Sequence, residues 1–171
     1  MPAVSDHDAI EALLYAYAER LDLGDLDGVA ALFERATWRT TARADVLRGR
    51  EQVRRAYDGV ILYDGVTRTK HVITNVAITV AGADVASSRC TFTVLQACPG
   101  LPLQPILAGR YHDEFARADG TWHYTDRLIL PDLAGDLSHH MGVHPRRPER
   151  RRSAGSSPAS ERPRLGHPEP Q

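Results

Sequence analysis

A chain of 171 residues with 42% hydrophobic side chains is long enough to bury one proper core. Its formal net charge of −1 conceals an acidic body, residues 1–142 at a net −5, and a basic end, residues 143–171 at a net +4. An acidic body argues against nucleic-acid binding, and no run approaches the roughly 20 apolar residues of a membrane span. The first eight residues lack a secretory pattern. The two cysteines, Cys90 and Cys98, make neither a disulfide framework nor a CxxC metal motif. These features lead to the expectation of a cytoplasmic protein.

Ser5 with Asp8 three residues on is a capping-box-like start. Ile10, Leu13, Leu14, Tyr17, Ala18 and Leu21 then recur at helical spacing, and Gly24 stops the helix. Asp25 is placed to cap a second short helix with Leu26, Val29, Ala30, Leu32 and Phe33 on its apolar side. A short extended piece is expected over Thr37–Thr41, and Gly49 leads into a third helix carrying Val53, Ala56, Tyr57, Val60 and Ile61. From Lys70 the period becomes strand-like. Strands are expected over His71–Val80, Val85–Leu95, Ile106–Ala116 and Trp122–Leu130, divided by Ala81-Gly82, Pro99-Gly100 and the hairpin signal Asp119-Gly120. Three helices followed by an antiparallel meander predict an α+β domain over 1–142, with the helices on one face of a curved sheet. Residues 143–171, rich in Pro, Arg and Ser, read as a disordered basic tail.

Four polar residues fall where their neighbours read as core: Tyr17 and Asp22 in the first helix, His71 at the head of a strand, and Arg127 in the last strand. Ionisable groups are seldom buried unless paired, so a carboxylate, an imidazole and a guanidinium in one interior make a candidate acid/base site. Asp22 sits near a helix C-terminus, where the macrodipole disfavours an anion by about 0.3–1 kcal/mol. A partner such as His71 accounts for that placement; a solvated turn aspartate is the plainer reading. Strand alternation puts His71, Ile73, Asn75 and Ala77 on one face. Arg127 is read either as a donor fork for developing negative charge or as half of a salt bridge with Asp113 or Glu114. Apolar lining is expected from Leu13, Leu14, Val53, Tyr57 and Phe92, with Trp38 and Asn75 beside it. His139, His140 and His144 lie at the edge of the tail without a firm carboxylate or Cys partner, so neither a metal nor a cofactor is expected. Arg110, His112 and Glu114 read as a polar sheet surface or dimer interface.

The segment from Tyr17 through Asp22, Gly24, Asp25 and Asp27 to Phe33 resembles the opening of the SnoaL-like, nuclear-transport-factor-2-like superfamily. Gly49-Arg50-Glu51, Lys70 to Asn75, Gly109 to Phe115, and Asp119 to Trp122 extend the resemblance over residues 5–130. The resemblance implies a cone-shaped curved sheet closed by helices, with a pocket at its wide mouth, and homodimerisation through the sheet. The branch with scytalone dehydratase, hexachlorocyclohexane dehydrochlorinase and bile-acid 7α-dehydratase is the most similar, and its Asp–His dyad falls on Asp22 and His71. Tyr17, Arg127 and Trp38 fall at or near pocket positions of the same branch. The second pocket histidine of scytalone dehydratase has no counterpart between Val85 and Leu95. The base of ketosteroid isomerase falls near Thr40, which disfavours that isomerase chemistry. The resemblance therefore implies a cofactor-independent, dehydratase-type lyase acting on a small hydrophobic cyclic or polyketide-like molecule, with Tyr17 or Arg127 assisting. A non-catalytic small-molecule-binding module and an isomerase or cyclase stand as alternatives.

Overall fold

The structure, a computed structural model, describes residues 4–142. Helix α1 (Asp6–Leu23) starts where the Ser5 hydroxyl accepts the Asp8 amide at 3.1 Å. It ends at Gly24, whose φ of 75° is the left-handed geometry glycine tolerates at a C-cap. Asp25 caps α2 (Leu26–Ala31) by accepting the Gly28 amide at 2.8 Å. Strands β1 (Thr37–Thr40) and β2 (Leu47–Arg48) precede α3 (Gly49–Ala56). The meander is β3 (Thr69–Val80), β4 (Val85–Cys98), β5 (Leu101–Ala118) and β6 (Thr121–Ala134).

The six strands form one sheet in the order β2-β1-β6-β5-β4-β3. The meander is antiparallel as expected, but β1 lies parallel to β6, with Thr37 opposite Asp126 and Trp38 opposite Arg127. The sheet is therefore mixed, and its edges do not close into a barrel. A tight turn cannot make a parallel pair; here the two strands meet only after the whole meander has been traced. Asp119 (φ 51°) and Gly120 (φ 74°) both take left-handed geometry between β5 and β6, as a two-residue hairpin turn demands.

Each long strand buries alternate residues beneath the helices. On β4 these are Ala86, Ser88, Cys90, Phe92, Val94 and Gln96. On β3 the alternation breaks once. Register slips between Thr74 and Ala77, where Asn75 takes φ 53°. This bulge moves the inward set from Thr69, His71 and Ile73 to Val76, Ile78 and Val80. It corrects the alternation read from the sequence. Asn75 is exposed, its amide 3.5 Å from the Thr91 hydroxyl, and it does not share the face of His71.

After β6 the chain turns back over the open end of the sheet. Met141 bridges to Val60, the Ile61 amide donates to the His140 carbonyl at 2.9 Å, and the Gly142 amide donates to the Gly59 carbonyl at 2.7 Å. Leu137 packs against the core. His139 and His140 thus belong to a packed strap, where the sequence placed them at the rim of a tail. His144 and the basic tail lie outside the described residues.

Candidate active site

Asp22 is brought inward by the helical phase of Ile10, Leu14, Tyr17, Ala18 and Leu21, the buried stripe of α1. Its carboxylate has four hydrogen-bond contacts, and the exposed Lys70 ammonium lies 4.0 Å from Oδ2. His71 Nδ1 lies 2.7 Å from Oδ1, and the His71 amide donates to Oδ2 at 3.0 Å and to Oδ1 at 3.2 Å. The Thr69 hydroxyl donates to Oδ1 at 2.8 Å. Behind it, the Thr67 hydroxyl lies 2.6 Å from that of Thr69 and 3.0 Å from the Leu21 carbonyl. Burial raises the Asp22 carboxyl, but the hydrogen bonds and charge of His71, with Thr69, outweigh it and hold the group below its ordinary value.

An ionised carboxylate can only accept, so Nδ1 of His71 carries the proton. In the neutral ring, Nε2 is then the bare lone pair. The Asp22–His71 contact thus has one defined polarity.

A second polar group lies deeper. Arg127 is 0% exposed, and its Nε and Nη2 donate to the two Asp113 oxygens at 2.8 and 2.7 Å. Nη2 also donates to the Tyr124 hydroxyl at 2.9 Å. The guanidinium lies over the rings of Tyr17 and Tyr111 at 4.1 and 4.4 Å. Burial works against its charge, but Asp113 more than offsets this and holds it charged. Of the two salt-bridge partners read from the sequence, Asp113 is therefore the one, and the pair is fully buried. Arg127 Nη1 has no hydrogen-bond partner among the described residues.

The Tyr17 hydroxyl meets that of Tyr57 at 3.1 Å. Tyr57 packs edge-on to Trp38, which sits beside Arg127 in register and whose Nε1 is buried without a partner among the described residues. Phe92 stacks on Tyr111 at 4.3 Å, over Gly109, where any Cβ would collide with the Leu130 carbonyl and press on the Phe92 ring. Cys90 lies behind this wall, and burial followed by the Asp113 charge pushes its thiol up to about 11, which leaves it inert as a nucleophile. Two clefts of about 330 and 270 Å³ open elsewhere on the surface, and neither is lined by Asp22 or His71.

The structure thus joins Asp22 with His71, and Tyr17 with Tyr57, Trp38 and Arg127. Helix α1 carries one member of each group, five residues apart, about 7.5 Å along its axis. Asn75 belongs to neither. The sequence reading missed Thr69 and Gln96, and took His140 only as part of a histidine cluster weighed for a metal. Thr69 shares the His71 face at a spacing of two, and Gln96 continues the Phe92–Val94 face, so both carried a period-two signal. His140 lies in no periodic element and carried none.

The SnoaL-like domain profile matches residues 2–127, most of the chain. The chain belongs to the SnoaL-like domain family. Among solved structures, this SnoaL-like domain is similar to an aspartate-to-asparagine variant of Rv3472, a protein of unknown function from Mycobacterium tuberculosis. Identity there is 25%, with 76% of this chain and 78% of that chain covered and a TM-score of 0.62. It shares the fold of a candidate scytalone dehydratase from Novosphingobium aromaticivorans, at 23% identity over 77% and 87% of the two chains and a TM-score of 0.64. An NTF2-like protein with a cystatin-like fold from the same organism aligns at 22% identity over 78% and 86%, also with a TM-score of 0.64. Comparison with curated proteins gives no match.

Proposed function

We propose that this SnoaL-like domain is a cofactor-independent lyase that eliminates water from a small hydrophobic cyclic or polyketide-like molecule. The observation that carries the reading is the Asp22–His71 pair, in which a hydrogen-bonded carboxylate fixes the Nδ1–H form and leaves Nε2 free to take a proton. His71 Nε2 removes a proton from the carbon next to a carbonyl. The imidazolium that forms is stabilised by Asp22. The charge passing to the carbonyl oxygen is met by the unpartnered donors Arg127 Nη1 and Trp38 Nε1 and the Tyr17–Tyr57 hydroxyl pair. Collapse of the enolate expels the β-hydroxyl, which leaves as water with the proton returned by His71.

The experiment is a screen of cyclic β-hydroxy ketones for growth of the conjugated-enone absorbance. The wild type is expected to turn over at least one. His71→Ala lowers that rate by about 10²–10⁴-fold with unchanged circular dichroism. Turnover at the wild-type rate in that variant contradicts the base assignment.

A further inference from the structure

Two buried polar atoms beside the dyad are unused by this chemistry. Gln96 is 1% exposed, and its Nε2 donates to the Thr67 carbonyl at 3.3 Å and the His139 carbonyl at 3.0 Å. Turning the amide over would set its oxygen against both carbonyls, so the orientation is fixed. Oε1 is left buried with no partner among the described residues, and it can only accept. The second atom is Nδ1 of His140, also buried without a partner among the described residues. The main chain of His140 is held separately, its carbonyl accepting the Ile61 amide at 2.9 Å and its amide donating to the Leu137 carbonyl at 2.9 Å.

Both atoms belong to the dyad corner. Gln96 stands opposite Thr69, whose hydroxyl donates to Asp22, and the Gln96 amide grips the peptide leading into His140. His140 lies close enough to feel the charges of His71 and Asp22, and burial followed by His71 holds it down at about 4, a neutral imidazole that can donate from Nδ1.

We infer that Gln96 Oε1 and His140 Nδ1 form a subsite for a hydroxyl group, the first accepting its proton and the second donating to its oxygen. A hydroxyl is a single atom that both gives and takes a hydrogen bond. A halide or a carbonyl oxygen has no proton for Gln96 Oε1 and would leave that buried acceptor unpaired, which is costly. The inference rests on the elimination reading and deepens it: the hydroxyl held here is the leaving group. As His71 Nε2 takes the carbon-bound proton, the C–H electron pair becomes the new C=C bond. The C–O bond breaks with its pair on oxygen, and His71 returns its proton there. Water leaves, and both imidazoles end neutral.

The test compares equilibrium binding of 1-tetralol and tetralin, a matched pair differing by one hydroxyl, to wild type, His140→Phe and Gln96→Leu. His140→Phe keeps every strap hydrogen bond made by the main chain, so it controls for loss of structure in Gln96→Leu. The preference for 1-tetralol over tetralin is expected to fall about tenfold in each variant, the worth of a buried hydrogen bond, while tetralin affinity holds. A purely structural role would move both ligands together. The subsite is overturned if wild type shows no preference for 1-tetralol, if neither compound binds, or if the preference survives both substitutions. His71→Ala should keep the preference. A retained preference with no β-hydroxy ketone turned over defeats the lyase reading alone, and turnover indifferent to His140→Phe defeats the subsite alone.

Discussion

Asp22 occupies the carboxyl-terminal turn of α1, where the helix field opposes its charge, and it is 9% exposed. Four donor contacts from His71 and Thr69 offset both costs. Because its folded-state value lies below the ordinary one, the stability this carboxylate contributes is complete above about pH 4 and is lost as pH falls through the folded value. His140 titrates in a different window. Its folded value of about 4 lies below the ordinary 6.5, so the unfolded chain binds the extra proton first. Stability is complete above about pH 6.5 and declines toward pH 4, by on the order of 3 kcal/mol at most. Urea midpoints measured from pH 7 to pH 4 should show this decline in the wild type and a flatter profile in His140→Phe. An identical slope in both would contradict the burial of a neutral His140.

At the scale of the elements, β5 and β6 are tied by the Arg127–Asp113 pair directly across their ladder. Removing one partner leaves a buried charge uncompensated, so Asp113→Ala is expected to cost about 3–5 kcal/mol in urea unfolding, whereas an exposed pair would cost little. A loss under 1 kcal/mol would mean that water reaches Arg127. The Asn75 bulge supplies a further test. Asn75→Val places a β-branched residue at φ 53° and should cost about 1–2 kcal/mol, with Asn75→Gly close to neutral. Helix caps, glycine stops and the Asp119-Gly120 hairpin were legible because each is a local choice of residue. The bulge was not, although the consecutive polar pair Thr74-Asn75 breaks the period of two between Ile73 and Val76; one added residue changes the face of everything after it. The parallel β1–β6 pairing was also hidden, since it joins segments about 90 residues apart and no local pattern marks it.

In the molecule as a whole, the helices cover one face of the sheet and the strap 137–142 crosses its open end. The Asp22–His71 hydrogen bond was legible because both residues lie in periodic elements whose inward phase can be counted. His140 was not, since its strap is positioned by tertiary hydrogen bonds: Ile61 to the His140 carbonyl, Gly142 to Gly59, and Gln96 and Tyr63 to the His139 carbonyl. A chain ending at Ala134 loses those bonds and the Leu137 packing. Compared with a chain ending at Gly142, it is expected to melt a few degrees lower, about 2–4 °C for each 1 kcal/mol lost in a domain of roughly this size. Equal melting temperatures by calorimetry would show that the strap does not hold the sheet end. No helix among the described residues is long and apolar enough to cross a membrane.

The central claim is the polarity of the dyad, and ¹⁵N–¹H correlation of the His71 ring reads it directly. The account predicts a proton on Nδ1 and a bare Nε2 in the neutral ring, with that preference lost in Asp22→Asn. A neutral ring protonated on Nε2 and bare on Nδ1 would turn its lone pair toward the carboxylate and leave no base facing a substrate, and the proposed chemistry would fall.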